Sequence, residues 1–163
     1  MASSIDSHLG KIHDTRHCLI QLLDGMDYCL DWKPNPSVWS ARQVVYHLLD
    51  TPPGGLASVI DGIISGNLTE YDLWSDMDNM TPERQVYGIQ EVLQDITAFF
   101  DSIEETLAKT KTTDLLEKGA LVHNKTRHAD NEHTADEILE GGFEGHWADH
   151  LQQLNELKKS LGV

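Results

Sequence analysis

The chain has 163 residues, 39% of them hydrophobic, a length that suits one domain spanning 1–163 with a real hydrophobic core. Twenty-seven acidic residues against twelve basic ones give a formal charge of −15, which repels phosphate backbones and argues against a nucleic-acid partner. The most apolar stretch, Leu56 to Ile64, is interrupted by Asp61 and is too short to span a bilayer, so no membrane partner is expected.

The N-terminus, Met1-Ala2-Ser3-Ser4-Ile5-Asp6, has no basic region followed by an apolar run, and no secretory leader is read there. From Ser4 to about Leu30, apolar residues recur at three- and four-residue steps (Ile5, Leu9, Ile12, Leu19, Leu23, Met26, Leu30), which predicts a first helix. Cys18 and Cys29 both fall in it. At ~1.5 Å rise per residue they stand ~16 Å apart, beyond the ~7 Å reach of a disulfide. Reduced thiols fit a cytoplasmic protein. His13 and His17 lie at the edge of the apolar stripe and read as solvated.

Trp32-Lys33-Pro34-Asn35-Pro36 stops that helix. Ser40-x-x-Gln43 reads as a capping box that opens a second helix through Val44, Val45, Leu48 and Leu49. Pro52-Pro53-Gly54-Gly55 breaks it, and Leu56-Ala57-Ser58-Val59-Ile60 resumes it. Thr81-Pro82-Glu83 starts a third long helix, to about Lys109, which should bury Val86, Ile89, Leu93, Ile96, Phe100, Ile103 and Leu107. Residues 110–133 read as polar and irregular, with a short turn at Asp114-Leu115-Leu116. Thr134-Ala135-Asp136-Glu137 is a second capping box and starts the final helix. No alternating strand pattern emerges. Four amphipathic helices, with a long link between the second and third, predict a four-helix bundle with a crossover.

The final helix carries the most informative residues. His146 and His150 are one helical turn apart, on the apolar stripe formed by Leu139, Phe143, Trp147, Leu154, Leu157 and Leu161. Two imidazoles aimed into a core either hydrogen-bond there or grip one ion. Imidazole suits zinc and nickel, and a catalytic site usually takes three protein ligands and keeps one position open. His47, inside the second helix, is the best third candidate. Tyr46, Asp50, Glu144 and Asp149 flank these histidines; Tyr46, Asp50 and Asp149 are candidates to orient them. His123, His128 and His133 fall in the polar stretch before the last helix, which could fold over such a site. No phosphate loop, G-x-S-x-G elbow or H-E-x-x-H is present.

The segment Trp39-Ser40-Ala41-Arg42-Gln43-Val44-Val45-Tyr46-His47-Leu48 resembles the W-S-x-x-[E/Q]-V-x-x-H-L signature of DinB-like proteins. Thr134 to Leu139, continued through Gly145-His146-Trp147-Ala148-Asp149-His150-Leu151, resembles that family's last helix, which ends in H-x-x-x-H. Order and spacing agree over nearly the whole chain. The resemblance implies an all-α, up-up-down-down bundle with a long crossover, usually dimeric. It implies a divalent metal held between helices 2 and 4 by His47, His146 and His150. One turn before the pair, where many relatives carry a further His or polar residue, this chain has Gly142. That departure leaves the site open on one side, and the Pro52–Gly55 break should reshape its mouth.

The expected function is therefore that of a zinc- or nickel-dependent enzyme, either a thiol-dependent transferase or isomerase, or a hydrolase. Its partner would be a small molecule such as a low-molecular-weight thiol. The rival expectation is a non-catalytic, stress-associated small-ligand binder or interaction bundle with a vestigial metal site.

Overall fold

The computed structural model describes residues 4–163, so Met1 to Ser3, where a secretory leader was looked for in the sequence, lie outside the described residues. Helix α1 (Ser4–Leu23) buries Ile12, Thr15, Leu19 and Leu23, the three- and four-residue rhythm of one face. It ends about two turns before the sequence suggested. Gly25 takes φ +82°, a left-handed conformation that terminates the helix. Met26 and Leu30 are nevertheless buried, at 1% and 3% exposure. Their spacing reflects core burial in a loop, so Cys29 lies beyond the helix. Cys18 and Cys29 are both free thiols.

Helix α2 (Ala41–Leu49) opens as expected. The Gln43 amide donates to Ser40 Oγ (3.3 Å), and the Ser40 amide donates to Gln43 Oε1 (2.9 Å). Ser40 is itself buried. Ser40→Ala is expected to cost about 1–2 kcal/mol of folding stability, read from urea unfolding midpoints. Arg42, also buried, grips Asp31 with two hydrogen bonds (2.7 and 3.1 Å) and donates to the carbonyls of Arg84 and Tyr87. One guanidinium thus ties α2 to the loops on both sides of it.

After the proline–glycine break come α3 (Leu56–Ser65), β1 (Glu70–Leu73), α4 (Pro82–Val86) and α5 (Ile89–Ala108). Thr81 caps α4 with Pro82 in its first turn, yet the long third helix is interrupted. Tyr87 is extended (ψ 137°) and Gly88 follows, so Val86 is 82% exposed rather than buried. The Tyr87 carbonyl is pulled toward Arg42 at 2.6 Å, which holds the kink. The expected core positions Ile96, Phe100, Ile103 and Leu107 are all buried on α5. Then follow α6 (Thr112–Glu117), β2 (Gly119–Asn124), β3 (Ala129–Thr134), α7 (Ala135–Glu140), a π-helical turn (Gly141–His146) and α8 (Trp147–Leu161).

The stretch 110–133, read as irregular, is thus largely ordered, and the absence of strands is corrected. β1 pairs in parallel with β2, and β2 with β3 as an antiparallel hairpin. The signal was faint because the strands are only 4 and 6 residues long. In β3, Ala129 is the one apolar residue. Ala120 and Val122 are buried, while Glu70, Asp130 and Glu132 face outward.

Four helical columns form the bundle: α1, α2–α3, α5 and α7–α8. α1 packs on α5 and α8, while α2 meets α8 and α3 meets α5 and α7. Ser4 and His8 bond to Asp136, and Lys158 bonds to the carbonyls of Gln21 and Asp24, so the first and last columns run parallel. Tyr46 meets Asp95 and Gly55 approaches Phe99, so the second and third columns also run parallel. The bundle fold class stands, but the directions are up-down-down-up rather than up-up-down-down. This order needs one long crossover, not two, and residues 66–88, carrying β1 and α4, supply it. Among the described residues no helix is long and apolar enough to cross a membrane.

Candidate metal centre

His47, His146 and His150 converge, one ligand atom from each lying within 4.8 Å of the others. Their ring centroids are 4.7 to 4.8 Å apart. α2 contributes His47, the π-helical turn ends on His146, and α8 adds His150 one turn later. His47, the third candidate from inside the second helix, is fully buried. The shortest approach is between His47 Nε2 and His146 Nε2, at 2.8 Å.

The remaining ring nitrogens show how the site is prepared. His47 Nδ1 lies 2.5 Å from the carbonyl of Met77, which can only accept, so Nδ1 carries the proton and Nε2 presents a lone pair inward. His150 Nδ1 donates to Gln153 Oε1 at 2.8 Å and likewise frees Nε2. Two lone pairs 2.8 Å apart would repel, so without an ion His146 Nε2 holds a proton and donates it to His47. A divalent ion there would be held by the three imidazoles, with the His146 proton moved to its Nδ1. The donor set therefore fits a divalent metal of the imidazole-favouring kind.

Burial disfavours the charged form of His146 and His47. It pushes His146 down from 6.5 to about 3, with His150 and His47 adding to the effect. His47 is also lowered, chiefly by burial, against an opposing pull from the Met77 carbonyl. Since the folded value of His146 lies below that of the unfolded chain, the unfolded state takes up this proton first. In the metal-free protein this contribution to stability should be fully present above about pH 6.5 and be lost as the pH falls toward 3. Urea midpoints across that window check this, and a slope that persists in His146→Gln would assign the loss to other groups.

Other residues that serve the site were not legible as such. Asn79 Nδ2 donates to the carbonyls of Tyr46 and His47 (3.3 Å each) and to Thr51 Oγ1 (3.1 Å). Asp78 accepts from Gln43 Nε2 at 2.9 Å. These bonds strap residues 77–79 across the end of α2 and hold the Met77 carbonyl in place. Trp39 stacks along His150 (6.1 Å, 17°) and tilts against His47 (4.7 Å), shielding both.

The three expected orienting residues fare differently. Tyr46 points to the other face of α2 and donates to Asp95 at 2.6 Å. Asp50 pairs with Arg84 at 2.6 Å. Asp149 lines a cavity of ≈ 460 Å³ that His146 also lines. Thr51, Pro52 and Leu56, from the expected break, shape one side of that cavity, and the inner face of the sheet shapes another. Gly142 borders it, yet a Cβ there would lie 2.9 Å from Leu56 Cδ1. The glycine thus admits α3 as well as open space. Of the histidines before the last helix, His133 lines this cavity, while His123 faces outward between Asp130 and Glu70. His13 and His17 are exposed, as read.

No family model and no curated protein matches the sequence. Two solved structures do match in shape. YfiT from Bacillus subtilis, described as a probable metal-dependent hydrolase with an unusual four-helix bundle topology, superposes with a TM-score of 0.72 at 16% identity. That match covers 97% of this chain and 87% of YfiT. A Streptococcus pneumoniae protein from a structural-genomics programme matches with a TM-score of 0.64 at 10% identity, over 98% of this chain and 92% of that one. At such identities the likeness speaks for architecture, and with the helix arrangement above it establishes that the chain has the DinB-like four-helix-bundle fold.

Proposed function

We propose that His47, His146 and His150 bind one divalent metal, zinc or nickel, and that the protein is a metal-dependent hydrolase. The observation that carries this is the preparation of the two outer imidazoles. His47 has Nδ1 bound to the Met77 carbonyl and Nε2 turned toward His146, and His150 has Nδ1 bound to Gln153 Oε1, which leaves its Nε2 as the free ring nitrogen in the cluster. A hydrogen-bonded histidine cluster with no ion has no need of that arrangement on both sides. A dication held there would supply Lewis acidity and the means to make a nucleophile from water at neutral pH. The protein's own part is to hold three imidazoles together, keep the Nδ1 protons in place through Met77 and Gln153, and exclude water with Trp39. The description of YfiT supports the hydrolytic class. A thiol-dependent transfer would use the same ligands and differs in what enters the cavity.

The test is metal analysis of untagged protein, followed by a hydrolysis screen of the loaded form with esters and amides. One equivalent of zinc or nickel per chain and turnover lost on chelation are expected. If no stoichiometric metal binds when either ion is supplied, the reading fails. If metal binds and only thiol-dependent transfer is seen, the hydrolytic class fails. The proposal extends to a homodimer in the cytoplasm, and a sedimenting species of the 18.3 kDa chain mass would contradict the dimer.

A further inference from the structure

The cavity beside His146 has a chemical character of its own. Its roof is one face of the sheet, where Tyr71, Val122 and Asn131 stand in register across the three strands and Leu73 and Asn124 form the next row. The roof therefore grades from apolar on β1 to amide-bearing on β2 and β3. Its floor is a single helix face that steps through Ile138, Gly141, Gly145 and Asp149. A Cβ added at Gly141 or Gly145 would meet no atom within 4 Å. Nothing in the packing requires glycine there, so bare backbone is presented to the cavity.

The charge at its rim is equally uneven. Arg16, Arg42 and Arg84 each hold a carboxylate. Arg127, in the β2–β3 turn, lines the cavity and makes no ion pair among the described residues, in a chain with 27 acidic residues. The neighbouring outer-face carboxylates are already engaged: Asp72 by Lys125, and Glu70 and Asp130 by His123. Glu137 and Asp149 also line the cavity. Glu137 is engaged by the Thr134 amide and by His133, which leaves Arg127 and Asp149 as the unpaired charges lining the cavity among the described residues, with Arg127 at the rim.

We propose that this cavity binds an amphipathic monoanion, its charge against Arg127 and its apolar body lying directly on the helix backbone at Gly141 and Gly145. The substrate class of the proposed hydrolase is then a small molecule with one carboxylate-like group, its reactive end toward His146. The inference rests on that reading only for the role of His146, because Arg127 and the glycine floor do not touch the ion.

The probe is the pair N-acetyl-L-leucine and N-acetyl-L-leucinamide, titrated calorimetrically into metal-loaded protein, with metal content measured on every sample. The acid should bind at least tenfold more tightly than the amide. Arg127→Gln should abolish that preference, and Arg127→Lys should keep part of it. Gly145→Ala should weaken both ligands at least tenfold with melting temperature unchanged or raised, since alanine favours a helix over glycine. Equal binding of acid and amide, no binding of either, or a preference that survives Arg127→Gln (direct ligation by the metal) each overturns the anion site. Wild-type affinity in Gly145→Ala overturns the backbone floor. An Arg127-dependent preference in protein that holds no metal would keep this inference and sink the metalloenzyme, and stoichiometric metal without the preference would do the reverse.

Discussion

His47→Ala is expected to take the protein from one tightly bound divalent ion per chain to none that survives gel filtration. His47 is the one proposed ligand from outside the last helical column, so its removal would leave His146 and His150 as a two-point grip on one helix face. Loss of a partner that merely orients a ligand already weakens metal sites about 10–100-fold, and loss of the ligand should exceed that. The variant also orphans the Met77 carbonyl and opens a void at a fully buried position, so some loss of fold stability accompanies it. His150→Ala separates the two effects. That ring is only half-buried and bonds within its own helix, so its loss should abolish tight binding with little change in the unfolding midpoint. His13→Ala, on the exposed face of α1, should bind as wild type does. Isothermal titration of zinc and nickel into the chelated proteins gives the comparison. One equivalent bound by His47→Ala at wild-type affinity would remove the three-histidine site.

Trp147→Ala should be among the most destabilising substitutions in the chain, at about 3–5 kcal/mol. Trp147 is fully buried, stacks on Phe99 at 5.1 Å, and stands 5.4 Å from both Phe100 and Phe143. That cluster joins α5 to the π-helical turn carrying His146. Against a typical domain stability of about 5–15 kcal/mol, this loss is roughly a fifth or more of the whole. Trp147→Phe is expected to cost much less. It keeps most of the aromatic contact, and it deletes an indole N–H that is buried with no hydrogen-bond partner, itself a liability of about 1–3 kcal/mol. Urea unfolding of both variants checks the order, and a phenylalanine variant as unstable as the alanine one would mean that the indole N–H is satisfied.

Helix beginnings were readable from the residues because their chemistry is local. Ser40 with Gln43, Thr134 with Glu137, and Thr81 with Pro82 each satisfy the orphan amides of a helix start within four residues of chain. Helix ends and interruptions were less so. α1 stops at Gly25 although its apolar rhythm runs on to Leu30, because burial in a loop mimics helical periodicity over a few residues. The kink at Tyr87 depends on Arg42, more than forty positions away, and the sheet depends on a parallel partner equally distant. The pairing of His146 with His150 followed from spacing and helix placement, and the addition of His47 from its place in an apolar helix and from the resemblance to DinB-like proteins. Their true partners did not. Tyr46 is next to His47 in sequence and so, at about 100° per residue, faces elsewhere. Asp50 lies nearer the right face, but the Arg84 guanidinium holds it.

The strap over α2 uses the main chain where other sites use a side chain. The proton of His47 is held by the carbonyl of residue 77, while the Met77 side chain is 52% exposed. Every amino acid has that carbonyl, so the contact is blind to which residue stands there. Position 77 is thus free to drift in composition while its role stays fixed. The burden of keeping it in place passes to Asn79, whose backbone sits at φ +57° and whose amide makes three bonds to α2 and Thr51. Related chains should therefore vary at the residue that touches the imidazole and hold constant the one two steps away, which never reaches it.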